Sequence, residues 1–199
     1  MKRLLFLIPL FYSCFAVAQP SADTGRLIAQ KENIITEHTI VQSENIGRNI
    51  NSDLAELRPT ISADGKLLFF ICENHPYNTK YNAIRNSQDI WYSEKDSNGN
   101  WTEAIHMDYP LNTYFFNAVF WISPDNNRIL IRNAFIDGDY AGNGVSLSHR
   151  LKNGRWSKPQ ALRIRNFEKY DRGRSNGASL SQDGRTLLLY MTETKGGYN

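Results

Sequence analysis

Cysteine is nearly absent from this 199-residue chain, which holds only Cys14 and Cys72. Two cysteines cannot build the multi-bridge framework of a small secreted domain. Charge of one sign is also missing. The 23 basic and 20 acidic side chains leave a formal +3, which gives no general argument for a nucleic-acid or membrane-surface partner. The four histidines, His38, His75, His106 and His149, lie too far apart for a metal-ligand motif. There is no H-E-x-x-H and no Gly-rich phosphate loop. Glu73, Asp139 and Glu193 are scattered acids, not the facing pair that glycoside hydrolysis needs. No cofactor is expected. The one long apolar run lies at the amino terminus, and at roughly 15 residues it is short for a membrane span.

That run has the make-up of a secretory signal. Lys2 and Arg3 precede it, and Ala16-Val17-Ala18 is an A-x-A cleavage site. Residues 1–18 are expected to be a signal peptide, placing the protein in the periplasm or at the outer membrane. A lipidated Cys14 is the alternative, although the residues after it stay apolar through Ala18. Removing the signal leaves 21 basic against 20 acidic side chains, a single cysteine and no transmembrane segment. Residues 19–44 read as a flexible lead with a candidate closing strand.

Beyond the lead, three stretches share one template. They are Ile61-Ser62-Ala63-Asp64-Gly65, Ile122-Ser123-Pro124-Asp125-Asn126 and Leu180-Ser181-Gln182-Asp183-Gly184, each followed by an apolar run. The aspartates are 61 and 58 residues apart, and a fixed period in this range marks a repeat architecture. Asp followed by Gly or Asn tolerates the positive φ of a tight hairpin turn. Apolar runs such as Leu67 to Ile71 predict strands covered on both faces.

The remainder of each repeat also recurs. Asp89-Ile90-Trp91-Tyr92-Ser93 and Gly144-Val145-Ser146-Leu147-Ser148 read as third strands. Each leads through an Asn-Gly turn to Trp101 or Trp156, expected to pack between repeats. Four strands per repeat make one propeller blade. The expected fold is therefore all-β: a β-propeller of four-stranded antiparallel blades over residues 45–199. It is incomplete at about two and a half blades, since closure needs roughly four to eight. The chain reads as the amino-terminal part of a longer protein.

Pro59-Thr60-Ile61-Ser62-Ala63-Asp64-Gly65, Asp89-Ile90-Trp91-Tyr92-Ser93 and Ile50-Asn51-Ser52 resemble the repeats of TolB-type, WD-like propellers. The chain is similar to the propeller region of Bacteroidota envelope proteins of the OmpA family. It departs from that pattern at Asn126, where Gly is usual. It departs again between Asn166 and Asp183, whose spacing is 17 against 13 in the other repeats. The resemblance implies a non-catalytic envelope protein, an interaction or recognition module. The alternative is a secreted propeller enzyme of the glycosidase or peptidase-associated type. Asp64, Gly65, Asp125, Asp183 and Gly184 are expected to be structural turn residues.

Two further features stand out. Asp137 to Gly144 partly imitates a calcium loop, but Ala141 falls at a ligand position and no Glu closes it. Arg163, Arg165, Lys169, Arg172 and Arg174 form a basic cluster for an anionic ligand, or else a solvated loop. In a four-stranded blade, the loops at 73–88, 133–143 and 163–176 open on one face. That long-loop face is where a protein, glycan or peptide partner is expected.

Overall fold

A computed structural model describes residues 43–79, 85–114, 116–171 and 176–191. The signal segment and nearly all of the lead lie outside them. The structure is all-β, with β1 (Ala55–Ile61), β2 (Leu67–Glu73), β3 (Gln88–Glu94) and β4 (Ile105–His106) forming a four-stranded antiparallel sheet. A second sheet repeats it with β5 (Val119–Ile122), β6 (Arg128–Ile136), β7 (Asp139–His149) and β8 (Gln160–Ala161). A four-residue helix, α1 (Phe167–Tyr170), precedes an antiparallel pair, β9 (Asn176–Leu180) and β10 (Leu187–Met191). In-order, four-stranded antiparallel sheets are consistent with a partial propeller-like fold.

The two-residue period of the strands explains the stacking. On β2, Leu67 and Phe69 face the second sheet, where they meet Ile129, Ile131 and Trp156 in one buried cluster. Leu68, Phe70 and Cys72 face the other way, onto Ile50 and Trp91. On β6, Leu130 turns toward the third sheet and joins Ala178, with Leu187 and Leu189 partly buried against it. β2 and β6 are thus apolar on both sides because a packed layer covers each side. On β10 the alternate residues, Leu188 and Tyr190, are exposed. Trp156 sits edge-on to Phe69 of the first sheet at 6.0 Å, while Trp101 packs against the Ile50 cluster.

The three Asp turns share one hydrogen-bond pattern. Ser62 Oγ donates to Asp64 Oδ1 (2.5 Å) and accepts from the Leu67 amide (2.9 Å). Asp64 Oδ1 also accepts the Lys66 amide (3.1 Å). Ser123 donates to Asp125 and accepts the Arg128 amide (2.9 Å); Ser181 donates to Asp183 (2.5 Å) and accepts the Thr186 amide (2.9 Å). The residues after each Asp have φ of 69°, 57° and 70°, which explains why only Gly65, Asn126 and Gly184 occur there. Asn126 has a second use, since its amide donates to Asp64 Oδ2 (3.3 Å) and links adjacent turns.

The segment 133–143, expected to be a long loop, is instead most of an extended hairpin. β6 and β7 continue to a turn at Asp137-Gly138, with φ of 53° and 92°. Two positive φ values in a two-residue turn suit the right-handed twist of the strands. Its Gly and Asn residues sit in a strand pair, not in a calcium-binding loop. Among the described residues no group of three or more His, Cys, Asp or Glu could hold a metal ion. No helix among them is long and apolar enough to cross a membrane.

Candidate functional site

Because the strands alternate in direction, the Asp turns and the Asn-Gly turns lie at one end of the sheets. The connections 73–88, 106–119 and the β6–β7 hairpin lie at the other. Two of these connections meet directly: the Asn117 amide donates to Gln88 O (2.8 Å), and Thr79 Oγ1 donates to Asn112 O (3.1 Å).

Beneath that meeting point lies a buried polar hub. Asp89 is fully buried and accepts the Thr79 amide (2.6 Å), His106 Nε2 (2.8 Å) and Asn117 Nδ2 (3.0 Å). Asn112 bonds the Ile90 backbone on both its N–H (2.8 Å) and its C=O (2.9 Å). Asn78 Oδ1 accepts the Trp91 indole N–H (3.2 Å). A buried carboxylate is tolerated when its lone pairs are filled in this way. The hub ties the β2–β3 loop, β4 and the β4–β5 loop into one unit. Its members are 10 to 28 residues from Asp89 in sequence, and the sequence offers no local pattern for them.

The second sheet lacks this hub. Gly144 stands at the position of Asp89, and Ala161 at that of His106. A hollow of about 280 Å³ remains there, edged by Asn143, Arg163, Asn166 and Glu168. Arg163, Arg165 and Lys169 are all exposed, but only Arg163 borders this hollow. Lys169 Nζ lies 5.5 Å from the Tyr170 ring. Arg172 and Arg174 lie outside the described residues. The four extra residues between Asn166 and Asp183 have a counterpart in the four-residue helix α1. At its end Asp171 and Asn176, both buried, bond each other (3.1 Å).

The loop end is rich in exposed tyrosine. Tyr77, Tyr109, Tyr140 and Tyr190 are all exposed at that end. Tyr140 stacks on Tyr114 with ring centroids 3.6 Å apart and planes 2° from parallel. Desolvation, helped by a hydrogen bond with Tyr114, pushes the Tyr140 hydroxyl's pKa up. Arg58, in a bulge of β1 at φ 51°, donates to Tyr190 Oη (2.6 Å). Arg132 sits over the Phe116 ring at 5.8 Å; burial and the like charge of Arg58 hold its pKa below the usual guanidinium range. At the opposite end the turn aspartates Asp64, Asp125 and Asp183 are exposed. The serine hydroxyl, then the turn amide, holds each of their pKa values below the ordinary carboxylate range.

A cleft of about 330 Å³ runs down the groove between the first and second sheets. Phe69 and Trp156 form its floor, Tyr92 and Tyr109 its walls, and Asp108, Glu94, Arg150 and Arg155 its polar rim. Sequence reasoning missed it, because its walls come from segments of separate repeats.

No known protein family matches this chain. No curated protein matches it either. Among solved structures, the chain is similar to the crystal structure of TolB from Acinetobacter baumannii, at 17% identity and a TM-score of 0.38. The match covers 73% of this chain and 29% of that one, so the chain spans under a third of that protein's length.

Proposed function

We propose that this chain is a non-catalytic recognition module of the cell envelope, built on about two and a half propeller blades. In this reading it is the amino-terminal part of an OmpA-family, outer-membrane-associated protein. The carrying observation is the contrast between the two ends of the sheets. One end holds three copies of a self-satisfied Ser-Asp turn. The other presents Tyr77 on the β2–β3 loop, pinned from below by the Asp89 hub, together with Tyr140 on the β6–β7 hairpin and Tyr190 on β10. Exposed tyrosines supply large contact area with few rotatable bonds, a recurrent device of recognition surfaces. Lys2, Arg3 and Ala16-Val17-Ala18 supply the argument for export.

The test is retention of the purified chain on washed envelope fragments. Tyr77→Ser should weaken retention about tenfold at unchanged melting temperature, and Tyr140→Ser should weaken it with a lower melting temperature, since it also breaks the stack on Tyr114. Lys66→Ser with Asn153→Ser, at the turn end, should leave it unchanged. The reverse pattern would move the binding surface to the other face.

A further inference from the structure

The cleft between the first two sheets has a composition that selects among ligand chemistries. Its floor is sealed, since Phe69 is 1% exposed and Trp156 8%. Two aromatic rings remain accessible above it: Tyr92, which leans on Phe69 at 6.2 Å, and the half-exposed Tyr109. The rim carries two carboxylates, Glu94 and Asp108, and two guanidiniums, Arg150 and Arg155. Glu94 and Arg150 lie 3.5 Å apart. The rim therefore has no net charge, and a ligand of either sign meets repulsion as well as attraction.

A held histidine completes the wall. His106 Nε2 is engaged by the buried Asp89 carboxylate at 2.8 Å, which fixes the ring and puts its hydrogen on that nitrogen. Nδ1 then faces Asp108 Oδ1 across 3.6 Å, too far for a direct hydrogen bond. His106 Nδ1 and Asp108 Oδ1 thus converge on one spot with no direct hydrogen bond between them. A hydroxyl group, donor and acceptor at once, suits such a spot without adding charge.

We propose that this cleft binds a short segment of neutral saccharide, with Tyr92 and Tyr109 against the apolar ring faces. In this arrangement His106 Nδ1 and Asp108 bond sugar hydroxyls, while Arg150 and Arg155 donate to ring or hydroxyl oxygens. The volume sits at the lower end of the range for ligand clefts. The proposal does not depend on the loop-end reading, whose variants lie at Tyr77 and Tyr140.

The experiment titrates the full chain with cellotetraose, chitotetraose and maltotetraose, and in parallel with tetragalacturonate, tetralysine and tetraalanine, following backbone amide shifts. At least one neutral tetrasaccharide should give saturable shifts centred on Tyr92, Ile105 and Tyr109, and the other three ligands should not. Tyr109→Ala and Asp108→Asn, both at exposed positions, should each raise Kd about tenfold with the melting temperature unchanged. Four results would each overturn the proposal. These are saturable binding of the charged oligomers or the tetrapeptide alone, no saturable shift with any neutral saccharide, saccharide shifts centred elsewhere, and wild-type affinity in both variants.

Discussion

Replacing the serine of each repeated turn with alanine gives a graded test of how the repeats are built. Ser62 is 3% exposed and Ser123 0%. Each hydroxyl donates to its turn Asp and accepts an amide at 2.9 Å, Leu67 in one case and Arg128 in the other. Ser→Ala changes volume little, so the cost comes from donors left inside without a partner. A buried donor left unsatisfied costs about 1–3 kcal/mol, and that is the expectation for Ser62→Ala and Ser123→Ala. Ser181 is less buried, and the Thr186 amide it serves is exposed, so water takes over there. Ser181→Ala should therefore cost only about 0.5 kcal/mol. Urea unfolding of the three variants, with a common slope, reads these differences directly. In a chain of this size about 2–4 °C of melting temperature corresponds to each kcal/mol. A neutral Ser62→Ala, or a Ser181→Ala as costly as Ser62→Ala, would refute the reasoning.

Three other outcomes follow from the same structure. Cys72 is buried, and burial, with Glu56's charge adding, pushes its thiol pKa up to about 11; it should resist a thiol reagent at pH 8 until the chain is unfolded. The Asp64, Asp125 and Asp183 carboxyls are held below their usual pKa, so their stabilising effect is present above the unfolded value near 3.9 and lost as pH falls through the lower folded value. The triple Asp→Asn variant should accordingly lose less stability between pH 5 and pH 2 than the parent, as read by melting curves. Trp156→Ala empties the packed space beside Phe69 and should cost about 3–5 kcal/mol, whereas the half-buried Trp101→Ala should cost less in the same unfolding assay.

Much of the architecture was legible because it is local and repeated. The Ser-x-Asp turns, the doubly apolar second strands and the Trp after each Asn-Gly turn are short patterns set by φ preference and two-residue alternation. The hairpin at 133–143 was not legible, since its Gly and Asn content reads as loop. The decisive pair, Asp137-Gly138, is itself a hairpin signal hidden among those residues. Asn126 looked like a departure from the pattern, yet its amide reaches Asp64 of the neighbouring turn. The Asp89 hub and the inter-sheet cleft were invisible for a different reason. Asp89, His106, Asn112 and Asn117 converge only through strand pairing and loop packing. The basic cluster, by contrast, was conspicuous in sequence, but of its described members, Arg163, Arg165 and Lys169, only Arg163 borders a hollow.

The central claim is that envelope partners are recognised at the tyrosine-bearing loop end and not at the tips of the Asp and Asn-Gly turns. Photo-crosslinking tests it most directly, with p-benzoylphenylalanine placed at Tyr77 or Tyr140 on one end and at the exposed Asn98 or Asn153 on the other. In intact cells, discrete adducts should form from Tyr77 and Tyr140 and not from Asn98 or Asn153. Adducts from Asn98 and Asn153 with none from Tyr77 and Tyr140 would contradict it.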